Sequence, residues 1–374
     1  MTLTVGINLL WLVPGEVGGS EQSTIATVRG LIGLDADLDL QLFVLPALVT
    51  AYPDLGESAR VTVAPIDGRS RGRRVVTESR WLADQTRTLD LVHHAGGTIP
   101  ARRTAPAALT LHDLQPLEAR DTHAALKRLY LGRAVPAAVR SSRRVAVPSE
   151  FVRGRVLERF RVAPERVVTI PHAAPVRPAG TAPALLRERY HLTGPVVLYP
   201  AITYPHKEHQ TLLAAFEQVL VRHPDAVLVL PGAAGSSEPA VRAQIDATPA
   251  LGGQVRRVGR IPDADVAGLL DLAEVVAVPS RYEGFGLPAL EAMAAGVPVV
   301  AADATSLPEV VGSAGRLVPV GVPDAWADAI GDLLSDPSER QRLAAAGRAR
   351  AAGYTVAANG AAFAQLYRHA VADG

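Results

Sequence analysis

The sequence predicts an α/β protein of two domains, each a doubly wound parallel sheet, with a cleft between them. Its 374 residues are too many for one ordinary hydrophobic core and suit two domains. Apolar residues make up 48% and charged residues 20% of the chain, which is the composition of a soluble globular protein. Short runs rich in valine, leucine and isoleucine alternate with helix-like stretches, a rhythm typical of buried parallel strands joined by helices.

The apolar runs fall on either side of a segment rich in proline, alanine and glycine over residues 171–183, which we interpret as a linker. This predicts a first domain over residues 1–175 and a second over residues 176–357. The stretch from about 358 to 374 has apolar residues at helical spacing, and we expect it to pack back on the first domain, although the pattern alone does not choose. The predicted strands are TVGINLL, LQLFVL, LDLVHH, ALTLHD, RRVAVPS, RVVTIP, PVVLYP, AVLVLPG, EVVAVPS and VPVVAAD.

The overall charge argues against a nucleic-acid partner. Lysine and arginine together number 38 and aspartate and glutamate 37, so the chain has no net field to attract a polyanion. Any anion site must therefore be local. The lysines are Lys127 and Lys207, so a lysine inside a motif stands out against the many arginines.

The chain has no cysteine, which excludes a disulfide framework, thiol catalysis and thiolate zinc sites and fits a cytoplasmic protein. The N-terminal run MTLTVGINLLWLVPGE lacks a basic region, so we interpret it as a buried strand and not as a signal peptide. No apolar run approaches the ~18 residues that span a bilayer. Residues 126–144 are basic and partly amphipathic; a solvated helix face is favoured, and peripheral contact with an anionic acceptor or the inner face of a membrane stays open.

The stretch SRYEGFGLPALEAMAAGVPVV, residues 280–300, contains a glycine-rich turn between Glu283 and Glu291. A helix is predicted from about Pro288 to Ala295, with Gly296 as its stop, so Glu291 lies in its first turn, where the helix dipole favours a carboxylate. The glycines that bracket Phe285, Gly284 and Gly286, let backbone amides approach a phosphate. Amides for a phosphate, carboxylates for hydroxyl groups and an apolar wall of Phe285 and Leu287 together predict a nucleotide-sugar pocket.

This stretch resembles the E-x7-E signature of glycosyltransferase family 4, and SLPEVVG, residues 306–312, is similar to the same family. The resemblance implies the GT-B fold, with two Rossmann-like domains facing a cleft, and a reaction that retains the configuration of the sugar. It implies that Glu283 orients the transferred sugar and Glu291 holds the ribose. It also implies that Gly286 and Leu287 belong to the donor site.

Further positions match the family. Gly18 and Gly19, in VPGEVGGSEQST, match a glycine turn that brings amides to a diphosphate; the alternative is a plain strand-to-helix turn with Ser20 as N-cap. His112 ends the apolar run LTLHDL, and the family histidine at this place contacts the donor sugar, although a lone histidine there is more often structural. Arg260 and Ile261, in VGRIPDADV, occupy the place that edges the nucleobase.

Lys207 follows the first strand of the second domain, where the leaving diphosphate needs a cation. The family has a lysine in this place, usually with an arginine six residues earlier, but Ala201 stands there in this chain. His206, His209, Thr203 or an arginine from elsewhere are the alternatives that could substitute. The sequence does not choose among them.

No required metal or other cofactor is predicted. Asp35 and Asp37 lie in a polar turn, and Asp263 of the second Asp-x-Asp triplet, which ends at Asp265, is expected to cap a helix. His206 and His209 lack the i, i+4 spacing of a helical zinc pair.

The predicted function is retaining transfer of a sugar from a nucleoside diphosphate donor to a saccharide, lipid-linked or natural-product acceptor bound by residues 50–140. The similarity of HKEHQTLL to mannosyl-type members favours GDP-mannose slightly. The alternatives are a nucleotide-sugar epimerase or hydrolase, and a non-catalytic sugar-nucleotide-binding protein, which Ala201 and the altered connection over residues 172–175 suggest. An NAD-linked dehydrogenase is disfavoured because LVLPGAAGSS lacks the full glycine fingerprint.

Overall fold

The structure is a computed structural model that describes residues 2–16, 18–34, 37–118 and 125–372. Asp35, in the first Asp-x-Asp triplet, lies outside the described residues. The chain divides into two compact units, the first made of Met1–Pro175 and Tyr354–Gly374 and the second of Val176–Gly353. Each unit contains a parallel sheet with helices packed against it, so the predicted α/β class is confirmed.

The first unit is built on a sheet whose strands all pair in parallel, in the order β3-β2-β1-β4-β5-β6-β7. The order reverses between β1 and β4, which makes their carboxyl ends the topological switch point where such sheets bind ligands. The strands are β1 (Leu3–Asn8), β2 (Leu38–Val44), β3 (Arg60–Val63), β4 (Leu91–His94), β5 (Ala107–Thr110), β6 (Arg144–Val147) and β7 (Val167–Thr169).

The second unit is built on a parallel sheet in the order β10-β9-β8-β11-β12-β13, with its own switch point between β8 and β11. The strands are β8 (Val196–Leu198), β9 (Val227–Pro231), β10 (Val255–Gly259), β11 (Ala273–Val278), β12 (Val299–Ala302) and β13 (Arg316–Val318). Strands β3, β10 and β13 are absent from the predicted set, and each forms an edge of its sheet.

Helices follow most strands. In the described residues they are α1 (Gly19–Ile32), α2 (Pro46–Ala51), α3 (Asp54–Ser58), α4 (Arg71–Thr77), α5 (Ala83–Gln85), α6 (Gln115–Glu118), α7 (Ala125–Ser141), α8 (Glu150–Phe160), α9 (Pro183–Arg189), α10 (His209–Arg222), α11 (Glu238–Ala247), α12 (Pro249–Gly252), α13 (Asp263–Leu272), α14 (Leu287–Ala295), α15 (Leu307–Val311), α16 (Pro323–Ser335), α17 (Pro337–Ala351) and α18 (Val356–Ala372). Short turns of other helix types cover Glu78–Leu82, Pro164–Arg166, Pro205–Lys207 and Gly312–Ala314. No helix of the described residues is long and apolar enough to cross a bilayer.

The basic segment at 126–144 forms most of α7. Its Val135, Ala138 and Val139 are buried in a core cluster, while Arg133 and Arg140 are exposed. The side chains at 126–128, including that of Lys127, lie outside the described part of the chain. The face that the structure describes is therefore an ordinary amphipathic one, and a membrane or acceptor contact there stays a prediction.

Helix α18 belongs to the core of the first unit. Its Phe363, Leu366 and Tyr367 are buried in the same cluster as the residues of β1 and α1. A Cβ added at Gly360 would lie 2.3 Å from the carbonyl carbon of Gly30 on α1. The absence of both side chains therefore sets how closely the two helices pack.

We expect Gly360→Ala to destabilise the first unit by about 1–3 kcal/mol, because the methyl group would collide with backbone that cannot move aside cheaply. The matched control is Gly154→Ala in α8, where an added Cβ has no neighbour within 4 Å. That change should stabilise the protein by about 0.5–1 kcal/mol through helix propensity. Thermal unfolding of the purified variants is the measurement, and equal midpoints for both would contradict the packing argument.

Candidate active site

The switch point of the second sheet brings Lys207 and Glu283 together. Lys207 lies in the loop after β8 and Glu283 in the loop after β11, and these two strands are neighbours. The Lys207 Nζ lies 2.6 Å from Glu283 Oε1, and the two side chains are 17% and 12% exposed. A largely buried cation and a carboxylate therefore meet where a doubly wound sheet binds its ligand.

Hydrogen bonds from buried side chains fix the loops that carry this ion pair. The Tyr199 hydroxyl donates to the Lys207 carbonyl at 3.0 Å and lies 2.8 Å from the Ser280 hydroxyl. Because the single tyrosine proton is used for Lys207, the Ser280 hydroxyl donates to Tyr199. The Arg281 amide donates to the His206 carbonyl at 2.9 Å, which joins the two loops directly.

The backbone of Glu283 is held from the loop after β12. Its amide donates to Thr305 Oγ1 at 3.1 Å, and its carbonyl accepts from the Ser306 hydroxyl at 2.9 Å. Thr305 adopts a φ of 54°, and Glu208, beside Lys207, also has a φ of 54°. A β-branched residue in the left-handed region costs about 1–3 kcal/mol, and such strain concentrates at functional sites.

The glycine turn leads into α14 as predicted, with two differences. The helix begins at Leu287, so Pro288 is its second residue, and Glu291 lies just beyond the first turn, which contains no acidic residue; Gly296 ends the helix as expected, with a φ of 75°. Gly286 precedes it with a φ of 107°, and its carbonyl accepts from the Ala289 and Leu290 amides at 3.0 and 3.2 Å. The first turn of α14 therefore points its positive end towards the loop of Glu283.

The apolar wall expected from Phe285 and Leu287 is wrong. Both side chains are buried in the core, with 4% and 8% of their surface exposed. What this turn can offer a ligand is its backbone amides, since the left-handed Gly286 turns the chain without a Cβ. The two apolar side chains of GFGL pack in the hydrophobic core and are therefore turned away from a ligand.

Glu291 lies in α14 and is partly buried. Burial and, to a smaller extent, the nearby Asp263 carboxylate raise its pKa to about 7, although the charge of Arg177 opposes the rise. The group therefore changes charge close to neutral pH, which is unusual for a glutamate.

The structure excludes two of the residues that could replace the missing arginine at position 201 as a cation, Thr203 and His209. Thr203 is fully buried, donates to Glu238 Oε2 at 2.8 Å and accepts from the Gly235 amide at 2.7 Å. Burial, with the charges of Arg257 and Lys207, lowers the pKa of His209 to about 3, so it is neutral at physiological pH. Neither can supply a positive charge.

Arg257 and Arg281 lie near the loop that follows β8. Arg257 is 5% exposed and is committed to Glu238 and to the carbonyls of Leu230, Gly232 and Ala233. Arg281 is exposed, forms an ion pair with Glu208 and follows β11 directly before the loop of Glu283. Arg281 is thus better placed to act as a second cation than Arg257.

Arg260 and Ile261 follow β10, two strands from β8 in the sheet order, where Arg260 is exposed and Ile261 half-buried.

The expectation that Asp263 caps α13 is wrong, because Pro262 is the capping residue and Asp263 is the first helical one. Asp265 is buried and accepts from Thr181, Arg189 and Tyr190 at 2.6, 2.5 and 2.6 Å. Its carboxylate is therefore used to hold the start of the second unit. The described residues contain no cluster of side chains able to hold a metal ion.

In the first unit, Gly18 lies between β1 and α1, and Gly19 is the first residue of α1. Gly18 is the N-cap with a φ of 73° and no side-chain capping bond, so the alternative in which Ser20 is the N-cap is wrong. Glu21, in the first turn of α1, accepts from the Gly15 amide at 2.7 Å and from the Tyr52 hydroxyl at 2.8 Å. Glu21 is buried and ties the loop after β1 to the helix that follows it.

His112 follows β5 and has a defined tautomer. Its Nε2 lies 3.0 Å from the Ala95 carbonyl, which can only accept, so Nε2 carries the proton. Nδ1 is buried and has no hydrogen-bond partner among the described residues. The ring packs 5.9 Å from Trp11 and 5.4 Å from His172, and burial lowers the pKa of His112 to about 4.

Sequence reasoning missed Tyr199, Ser280 and Thr305 as residues that position the site. Tyr199 and Thr305 bind the backbone of a loop and Ser280 binds Tyr199, and such roles leave no motif beyond a polar residue at the end of an apolar run. Thr305 and Ser306 lie just after VPVVAAD, so their position after β12 was the one available signal.

The comparisons with known proteins identify the family of this chain. The family model Glycosyltransferase Family 4 matches residues 17–176, and Glycosyl transferases group 1 matches residues 187–350. O-antigen chain mannosyltransferase B of Escherichia coli is 32% identical over 271 residues, 70% of this chain and 70% of that protein. D-inositol 3-phosphate glycosyltransferase of Kineococcus radiotolerans is 30% identical over 256 residues, 63% of this chain and 59% of that protein.

A solved structure confirms the GT-B fold. HepE of Anabaena, in complex with UDP and glucose, has a TM-score of 0.75 and 22% identity over 97% of this chain and 98% of that chain. At this level of identity the likeness concerns the fold alone. The family models and the E. coli relative together show that the chain belongs to glycosyltransferase family 4.

Proposed function

We propose that the protein is a retaining glycosyltransferase that moves a hexose from a nucleoside diphosphate donor to an acceptor hydroxyl without a required metal ion. The observation that carries the proposal is the Lys207–Glu283 ion pair at the β8/β11 switch point. On donor binding the Lys207 ammonium exchanges the carboxylate for the diphosphate. Glu283 is then free to accept hydrogen bonds from sugar hydroxyls.

The reaction breaks the bond between the anomeric carbon and the diphosphate oxygen and forms a bond from that carbon to the acceptor oxygen. The acceptor attacks from the face that the diphosphate leaves, and the leaving diphosphate takes the acceptor proton. Negative charge therefore grows on the diphosphate, and Lys207 and the first turn of α14 are the groups that stabilise it. Arg281 is the second cation of the proposal, and Gly18, Gly19 and His112 keep the roles that the family resemblance gives them.

The donor we propose first is GDP-mannose. The E. coli relative is named as a mannosyltransferase, and MMP alpha-(1->4)-mannosyltransferase of Mycolicibacterium hassiacum is 50% identical over 94 residues, 24% of this chain and 23% of that protein. Arg260 and Ile261 are proposed to face the base, and Glu291 the ribose.

The test is to incubate the protein with GDP-mannose, UDP-glucose, UDP-N-acetylglucosamine and dTDP-glucose, each with and without a panel of acceptors. Mass spectrometry of the products and NMR of the new anomeric proton should show transfer with the donor's configuration kept. Release of free sugar at the same rate with and without acceptors would indicate a hydrolase. Donor binding without any turnover would indicate a binding protein.

Affinity for the sugar nucleotide should increase with pH through about 7, because Glu291 has its pKa raised to about 7 and its ionised form is the better hydrogen-bond acceptor for a ribose. A sugar nucleotide is the right probe because its diphosphate does not titrate in this range, unlike the terminal phosphate of free GDP. Isothermal titration calorimetry between pH 6 and 8 is the measurement. Glu291→Gln should bind more weakly with a flat profile, and a flat profile in the unmodified protein would contradict the assignment.

A further inference from the structure

The first unit contains a cavity of about 700 Å³. Its lining comes from the loop after β1, the loop before α4, the loops after β4 and β5, and one face of α7. The volume falls within the ~300–1,000 Å³ typical of small-molecule sites. His112, the residue that the family resemblance places at the donor sugar, lines it as well.

Three arginines line this cavity, Arg69, Arg71 and Arg74, all from the short sequence RSRGRR. None of the three forms an ion pair or a side-chain hydrogen bond within the described residues, and the buried Nε of Arg74 has no partner there. Other arginines of the same unit form ion pairs, as in Arg29–Asp54 and Arg155–Glu118. The cavity therefore has unused guanidinium donors.

The acids near these arginines do not cancel their charge. Glu16 and Asp113 also line the cavity, but no ion pair links either of them to the three arginines in the part of the chain that the structure describes. Glu78 lies one turn after Arg74, and burial raises the pKa of Glu78 despite its hydrogen bond from Asn8 and the nearby Arg74 charge. The cavity consequently favours an anion.

The remaining lining is largely apolar. Trp11, Leu114, Leu117, Tyr130 and Leu131 offer flat or aliphatic surface, of the kind that packs on the carbon face of a sugar or cyclitol ring. An anionic end and an apolar face in one cavity describe a ring compound with a charged substituent. A planar guanidinium fork matches phosphate geometry, and three such forks suit a dianion better than a carboxylate.

We propose that this cavity binds the acceptor and that the acceptor is a hydroxylated ring carrying a phosphate, held by Arg69, Arg71 and Arg74. The inference rests on the proposed transferase function and adds the chemical class of its acceptor. The phosphate comes from a soluble sugar or cyclitol phosphate, a dianionic monoester, or from a lipid headgroup, a monoanionic diester, and both present phosphate oxygens to the arginines.

The test compares matched acceptors that differ only in the phosphate: D-glucose 6-phosphate with D-glucose, and D-inositol 3-phosphate with myo-inositol. Vesicles that contain phosphatidylinositol form a separate arm for the lipid source. Transfer from the preferred sugar nucleotide should show a KM at least about tenfold lower for a phosphorylated acceptor in one of the arms. The arm that responds identifies the source, and inorganic phosphate should compete with that acceptor.

Arg69→Gln, Arg71→Gln and Arg74→Gln should each raise the acceptor KM by about 10- to 100-fold, which is the loss expected for a hydrogen bond to a charged group. Their affinity for the sugar nucleotide should stay unchanged. Arg80→Gln is the matched control, because Arg80 is an exposed arginine of the same segment that does not line the cavity. Arg69 and Arg71 are exposed, so their variants should fold even if Arg74→Gln does not.

The two proposals fail in different ways. If no sugar nucleotide binds or is consumed, the transferase function is wrong. If the donor is used but phosphorylated and unphosphorylated acceptors have equal KM values in every arm, the acceptor class is wrong. Arginine variants that behave like Arg80→Gln would overturn it as well.

Discussion

Lys207→Met is expected to lower kcat for sugar transfer by about 10²–10³-fold, because it removes the main cation that we propose stabilises charge on the leaving diphosphate. The same change leaves Glu283 largely buried without its partner, so it should also destabilise the second unit by about 3–5 kcal/mol. Circular dichroism and a donor-turnover assay on the same preparation measure the two effects separately. Arg281→Gln, which removes the more exposed cation, should lose less activity.

The double variant Lys207→Met/Glu283→Gln separates stability from catalysis. Replacing both partners removes the unpaired buried charge, so most of the lost stability should return while activity stays low. A double variant that regains activity together with stability would show that Lys207 acts only through folding. Full activity in Lys207→Met alone would contradict its role directly.

Acid should unfold the first unit between about pH 4 and 5, because its core buries neutral histidines. Burial lowers the pKa values of His93 and His94 to about 3 and that of His112 to about 4, from an ordinary value of 6.5. The unfolded chain therefore binds protons first, so stability is full above pH 6.5 and is lost as the pH falls below it. Each group contributes a slope of about 1.4 kcal/mol per pH unit.

Together these three histidines lower the free energy of unfolding of the first unit by roughly 8 kcal/mol between pH 6.5 and 4.5. This loss is comparable to the ~5–15 kcal/mol stability of a whole domain. His172, whose pKa burial also lowers, adds to the effect. Glu78 works in the opposite direction because its pKa is raised, but it is one group against several.

Urea unfolding at a series of pH values measures this slope. His93→Gln should reduce it by about one proton equivalent, although it also removes bonds to Thr110 and Tyr367 and lowers stability at pH 7. A free energy of unfolding that stays constant between pH 7 and 5 would contradict the prediction.

The fold was predictable because its central strands are buried on both faces and therefore form continuous apolar runs. The strands that prediction missed are β3, β10 and β13, with the sequences RVTV, VRRVG and RLV. Each is an edge strand, partly exposed and partly charged, which gives it no such run. The strand order was not predictable from periodicity either, since pairing of β8 with β11 joins segments about 75 residues apart.

The two central groups of the candidate site were found because Lys207 and Glu283 match the family pattern, and each follows an apolar run, since parallel strands deliver their loops to one edge of the sheet. The orientation of the side chains was not predictable from the sequence. Phe285 and Leu287 point into the core, and the Asp265 carboxylate accepts hydrogen bonds that hold the start of the second unit. The cavity arginines went unnoticed because RSRGRR reads as a solvated loop. The proposed role of these arginines depends on the other loops that line the cavity, and only the folded unit brings those loops together.

The most direct test of the central claim is a crystal structure of the protein with GDP or UDP bound. The diphosphate should lie against Lys207 and the Gly286–Leu287 backbone at the carboxyl ends of β8 and β11, with Lys207 moved off Glu283 and the ribose hydroxyls on Glu291. A nucleotide bound away from the β8/β11 switch point, with the Lys207–Glu283 pair intact, would contradict the account.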